Sequence, residues 1–256
     1  MRLTVRPGRR DLRRAVLGVA AALIASIASA HSRNALEGTW QLSQPRTLLV
    51  PSDGDAVPFT AEGRKLYEQN KALARKDDYS FDTTIDRCAS PGMPRALLSA
   101  LAFKIFDLSH KMLFLFEWNR LFREIDMRDD TAIQNARSVS SSPVPVLYEE
   151  QKQFGSKMGQ ARGHWQKDVL VADAGNFQDY RLLDGLIVTS DQLKLQERWR
   201  LRNKNTLEYQ ATISDPMTFT KPWTVVLTFK RLPDRAFIED VCMERQKNGE
   251  ATWPKL

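Results

Sequence analysis

The sequence predicts an all-β protein with a minor helical part: an antiparallel meander that closes into a barrel, with one outer helix and one long loop. The prediction rests on strict period-two alternation in the second half of the chain, on short polar turns between the alternating segments, and on the edges that such strands would leave exposed unless the sheet closes. Leu193, Leu195, Glu197, Trp199 and Leu201 share one face, and Lys194, Gln196, Arg198 and Arg200 share the other. Leu207, Tyr209, Ala211 and Ile213 repeat the pattern, as do Trp223, Val225, Leu227 and Phe229. One dry face and one wet face mark antiparallel sheet, and closure into a barrel removes the free edges. Arg202-Asn203-Lys204-Asn205 supplies a turn whose asparagines tolerate positive φ.

Taken from its start, the chain opens on an export signal rather than on the fold. Arg2, Arg6, Arg9, Arg10, Arg13 and Arg14 form a basic region, Ala15 to Ile27 an apolar core, and Ala28-Ser29-Ala30 a small-residue cleavage site before His31. Arg9-Arg10-Asp11-Leu12 fits a twin-arginine signal, and an arginine-rich general secretory signal fits the same residues. The apolar run is shorter than a spanning helix requires, so no stable membrane span is expected after cleavage, and the location is periplasmic or secreted. Residues 31–256 then form a single barrel-like domain with length enough for one good core. The whole chain is net +7, but six arginines and one acid lie before His31, which leaves the rest at net +2. The basic balance is a targeting effect, and no nucleic-acid partner is implied.

Leu36 to Leu42 reads as a first strand, and its Gly38-Thr39-Trp40 resembles the opening of lipocalin-like barrels, in which the tryptophan plugs one end. Gln44 to Phe59 is a proline-bearing loop. Thr60 caps a helix that runs to Arg75, with Glu62 in its first turn and few apolar positions, so it is expected on the barrel's outside or across one mouth. Cys88 to Arg95 is a rigid turn leading into the apolar run Ala96 to Phe103. Asp107 to Met127 holds two strands joined near Asn119 and Arg120, and Asp129 to Arg162 is a long segment that reads as a pocket lid or as a plain insertion.

Cys88 and Cys242 are the two cysteines. In an oxidising compartment they read as one disulfide tying the Pro-Gly turn to the last strand, with two buried thiols as the alternative. Cys88-x-x-Pro91-Gly92-Met93-Pro94-Arg95, Phe116-Glu117, Gly163-x-Trp165-x-x-Asp168-x-Leu170-Val171-x-Asp173, Glu197-Arg198, Asp215-Pro216-x-x-Phe219-Thr220-Lys221-Pro222-Trp223 and Cys242 with Glu244 follow one another along most of the chain. In this order they resemble a widespread family of secreted bacterial proteins. The resemblance implies compartment and architecture, and no activity. The chain departs from the family at Arg128-Asp129-Asp130, where Asp-Gly-Arg followed by His-Pro is usual, and at Gly159 to Trp165, where Gly-His-Ser-x-Gly-x-Trp is usual. His164 is the histidine left nearby, at a different place in the motif.

No stretch carries a nucleophile elbow, an H-E-x-x-H zinc motif, a C-x-x-C pair or a phosphate-binding glycine loop. With three histidines in all, neither a metal site nor a cofactor is called for. What remains are ionisable residues on dry strand faces, Glu117, Arg123, Asp173 and Glu197, with Trp40, Trp165 and Trp199 as candidate walls. They read either as an internal ion-pair network that fixes register or as the lining of a ligand cavity. Glu197 lies between Leu195 and Trp199, and Arg123 among Leu121, Ile125 and Met127, so both are expected to point inward, joined directly or through Glu117. Asp173 shares parity with Val169 and Val171, and His164, opposite Trp165, is expected outside. Three functions fit: a periplasmic binding protein for a small apolar or aromatic molecule, a cofactor-independent isomerase, lyase or hydrolase using the carboxylate–arginine pair, or a structural envelope protein. The expected amino terminus of protein recovered from the soluble envelope fraction is His31, read by terminal sequencing, and an intact Met1 there contradicts the export reading.

Overall fold

A ring of strands that alternate in direction closes only with an even number, so a nine-strand barrel must contain a parallel neighbour pair. The computed structural model describes residues 34–44, 46–128, 156–178 and 181–253. The chain divides into an amino-terminal unit, Met1–Ala35, and a second unit, Leu36–Leu256, to which the elements below belong. The expected signal segment and all but the last residues of the long segment after Asp129 lie outside the described residues.

Among the described residues, β1 (Gly38–Leu42), β2 (Phe103–Asp107), β3 (Lys111–Phe116), β4 (Phe122–Asp126), β5 (Gln160–Gln166), β6 (Val169–Gly175), β9 (Lys194–Asn203), β10 (Thr206–Ser214) and β11 (Trp223–Arg231) build a closed barrel in the order β1-β11-β10-β9-β6-β5-β4-β3-β2. The all-β, lipocalin-like barrel expected from the alternation is what the chain forms. The meander is broken once: β4 and β5 run parallel, Ile125 opposite Ala161. Their connection must return to the end where β4 began, which takes a long crossover. Two short strands, β7 (Arg181–Leu182) and β8 (Val188–Thr189), pair as a separate ribbon. The apolar run after Arg95 divides into a 3-10 turn, Arg95–Leu98, and the start of β2.

The chain leaves β4 and β11 at one end of the barrel, and the registers place most of the other long connections at the opposite end. Residues 43–59, 93–102, 156–159, 176–193 and 214–222 leave or enter the strands there. The other end carries tight turns, where Ser109 and Lys167 take positive φ. Trp40 closes that narrow end: it is fully buried, its indole N–H donates to Leu36 O at 2.9 Å, and the Arg231 guanidinium lies 4.1 Å above its ring.

The expected helix is α1 (Ala61–Ala74). Thr60 caps it by accepting from the Gly63 N–H, and Gly63 and Asn70 are its buried residues. Gly63 has no side chain because a Cβ there would sit 2.3 Å from Thr218 O. Asn70 Nδ2 donates to Leu186 O at 2.9 Å, holding α1 over the β7–β8 ribbon. Two shorter helices follow, α2 (Thr83–Arg87) and α3 (Cys242–Lys247). Cys88, the left-handed residue that ends α2, forms a disulfide with Cys242. The expected pairing is present, but its far anchor is the first residue of α3 rather than a strand. Trp118, packed 5.1 Å from Trp253, forms a small second core around that bridge.

The disulfide closes a separation of 154 residues. Its reduction, or Cys88→Ala with Cys242→Ala, is expected to lower unfolding free energy by up to about 5 kcal/mol in the chain-entropy model, measured by urea titration with and without reductant. A change below about 1 kcal/mol would show that the unfolded chain is not constrained by the bridge.

Candidate functional site

The dry faces of β4 and β9 meet inside the barrel. Arg123 and Glu197 are both buried, and Arg123 holds the carboxylate with both ends of its fork: Nη1 donates to Oε1 at 3.0 Å and Nη2 to Oε2. Two strands, β6 and β5, separate β9 from β4 in the ring, so this pair spans the lumen. Tyr209 adds a third bond, its hydroxyl donating to Glu197 Oε1 at 2.8 Å. Burial and the neighbouring Glu197 charge push the Tyr209 phenol well above the usual tyrosine range, so it remains a donor.

Beside the pair the lumen is filled by rings. Trp199 lies 4.4 Å from Tyr209, 4.9 Å from Phe114 and 6.3 Å from Phe103, and Phe103 meets Phe229 edge-on at 5.0 Å. These rings come from β2, β3, β9, β10 and β11, so they meet across the barrel rather than lining a hollow.

The other sequence candidates divide. Glu117 is buried but does not join Arg123 to Glu197. It accepts from Ala102 N at 2.8 Å and Ile238 N at 3.0 Å and pairs with Arg235 at 2.9 Å, so it anchors the carboxy-terminal segment. Asp173 is exposed, which corrects its expected dry-side placement. The inner face of β6 carries Leu170, Ala172 and Ala174, opposite Trp199, Glu197 and Leu195, and Asp173 faces outward beside Gln196. Both faces of β6 are apolar in composition, and the small residues are inside because bulky groups project toward them. Gly163 is small for the same reason, since a Cβ there would lie 2.7 Å from Ile125. Trp165 is half-buried on the inner face, packed against the core, and His164 is outside as expected.

The end that receives the long connections gathers polar side chains that the alternation did not single out. Arg95 is buried and holds buried Asp82, with Nη1 2.9 Å from Oδ1, while Asp82 also accepts from Thr84 N at 3.0 Å. Gly92, at φ +71, lets the turn approach: a Cβ would sit 2.2 Å from Lys157 O and 2.7 Å from Arg181 Nη2. Asp215 stitches two connections, accepting from Ser190 N at 2.7 Å and Met217 N at 3.0 Å. Asp184 accepts from the N–H groups of Leu49, Leu186 and Ile187, and burial raises its carboxyl despite those bonds. Thr47, Leu48, Ala74, Tyr79, Ile85, Leu98, Leu186 and Trp253 surround a half-enclosed cleft of about 170 Å³, with Asp82 and Arg95 also in its lining. Arg95 lies 5.2 Å over the Trp253 ring. Of these residues, Gly92, Arg95 and Asp215 stood in sequence motifs, and Asp82 and Asp184 did not.

Chemically, the lumen pair is occupied. Both Glu197 oxygens are held by Arg123, and one also by Tyr209, which leaves no free base facing an open space. Glu197→Gln removes the charge and strands Arg123, at an expected loss of about 3–5 kcal/mol in unfolding free energy, whereas Glu197→Leu with Arg123→Met recovers most of it. Both are read by chemical denaturation, and a loss under about 1 kcal/mol for the single change would place the pair in water rather than in a dry lumen. No protein-family model matches this chain, and no curated protein matches it.

Proposed function

We propose that this chain is an exported binding protein for a small apolar or aromatic molecule, taken at the end of the barrel that carries the long connections. The barrel is compatible with small-molecule binding, and the disulfide fits an oxidising compartment. Among the described residues no helix is long and apolar enough to cross a membrane.

The observation that carries the reading is the cleft between α1, α2 and the carboxy-terminal Trp253. At about 170 Å³ it matches a single-ring compound, since an apolar cavity of about 150 Å³ takes benzene. Tyr79 and Trp253 offer ring faces, Leu98, Ile85 and Leu186 an apolar floor, and Asp82 with Arg95 a fixed polar group for orientation. The lumen is the less favourable place, because Trp199, Tyr209 and their neighbours already occupy it. The same packing favours a structural envelope protein as the second reading. The carboxylate–arginine enzyme has less support, because its carboxylate is held on both oxygens.

Native mass spectrometry of protein purified from its own envelope fraction separates these readings. A retained small mass is expected in the wild type and lost in Ala74→Phe, which fills the cleft from the half-buried end of α1 while leaving the denaturation midpoint unchanged. A retained mass that survives Ala74→Phe places the ligand elsewhere, and no retained mass in either protein favours the structural reading.

A further inference from the structure

Buried arginines in this barrel meet carboxylates: Arg95 meets Asp82, and Arg123 meets Glu197. Arg181, at the start of β7, does not. Its side chain is 3% exposed, its Nη2 donates to Met93 O, and its guanidinium lies 4.8 Å from the centre of the Phe177 ring. Nε and Nη1 have no acceptor, and no carboxylate among the described residues lies within ion-pairing distance. One N–H on Nε and two on Nη1 therefore leave three of the five guanidinium donors unused.

The surroundings sharpen the imbalance. Lys157 is half-buried beside the same Gly92 turn, and its Nζ donates to Thr83 Oγ1 at 3.1 Å. Burial lowers the proton affinity of Lys157, and the charges of Arg181 and Arg95 lower it further. Arg181 is pushed down to about 9 by burial and then by Arg95, with Arg123 adding to it and Tyr209 and Asp215 countering in part. It stays protonated at neutral pH, and Asp215, the carboxylate whose charge reaches it, is committed to the N–H groups of Ser190 and Met217. A buried cation with donors unused is unfavourable unless an anion completes it.

We propose that Arg181 is an anion-binding residue, its Nε and Nη1 taking the oxygens of a small carboxylate or phosphate, with Lys157 at the rim. The fork of arginine suits both groups. Arg181 is not among the cleft residues, so the inference stands whether or not the cleft takes a ligand. It makes a double demand that a structural arginine would not. In the absence of an anion the charge burdens the fold, and in its presence the charge holds the ligand.

The test is denaturation and calorimetric titration of the folded protein in chloride buffer, with acetate, benzoate or inorganic phosphate added in turn. One of these anions is expected to raise the midpoint saturably and to bind about 100-fold more weakly in Arg181→Met. Lys157→Gln should weaken it less, and Ala74→Phe should leave it unchanged, which separates this site from the cleft. Phosphate and the carboxylates are distinguished by which saturates at lower concentration. In chloride alone, Arg181→Met is expected to be at least as stable as the wild type. The proposal is overturned if no anion stabilises the wild type, if the response survives Arg181→Met, or if that variant is clearly less stable in chloride. Arg181→Lys, which keeps the charge but loses the fork, provides the reading should Arg181→Met fail to fold.

Discussion

The bidentate bond between Arg123 and Glu197 constrains everything around it. A guanidinium and a carboxylate in a dry lumen tolerate little displacement, since an offset leaves charge unmatched in a medium that screens weakly. The bond therefore fixes β4 against β9 across two intervening strands, and with them the inward parity of both. Trp199, two residues beyond Glu197, is then committed to the lumen, where Phe103, Phe114 and Tyr209 close on it. Ala172 and Gly163 follow as the small residues that give the pair and the neighbouring Ile125 their room.

A lumen filled in this way moves any binding chemistry to its ends, and the two ends are unequal. One is sealed by Trp40 beneath Arg231 and by tight turns. At the other, connections long enough to fold back on themselves bring Asp82, Arg95, Lys157, Arg181, Asp184 and Asp215 together, and α1 lies over them through Asn70. Polar side chains placed on connections rather than on strands are free of the barrel's alternation. They can be arranged for recognition while the strands supply rigidity.

The legible part of this fold was the part set by period two. The parity of Glu197 and Arg123, the three long strands after Leu193, the Thr60 cap and the turn at Asn119 and Arg120 all follow from local chemistry, and the structure bears them out. Asp173 went the other way because β6 is apolar on both faces, and alternation cannot choose between valine and alanine. The parallel contact of β4 with β5 was hidden because it is a property of the closed ring, not of either strand. Arg181 carried no signal at all: it lies on a two-residue strand, and the loss of partners that makes it notable is visible only once the chain has packed.

Arg95, Arg123 and Arg181 share depth and chemistry, yet differ in how they are satisfied. Arg95 is neutralised by a residue thirteen positions away in sequence, and Arg123 by one seventy-four positions away. The fold thus solves the buried-cation problem both locally and across the whole barrel. A carboxylate beside Arg181 would have required no new principle, only another acid on a connection that already presents several. Asp215 is spent on Ser190 and Met217, and Asp184 on three backbone N–H groups. Among the described residues, these acids hold loops in place, while Nε and Nη1 of Arg181 have no acceptor. With Arg181 as the proposed anion site, that division separates shape from recognition at the same end of the barrel: the acids set the loops, and the cation is left for the ligand.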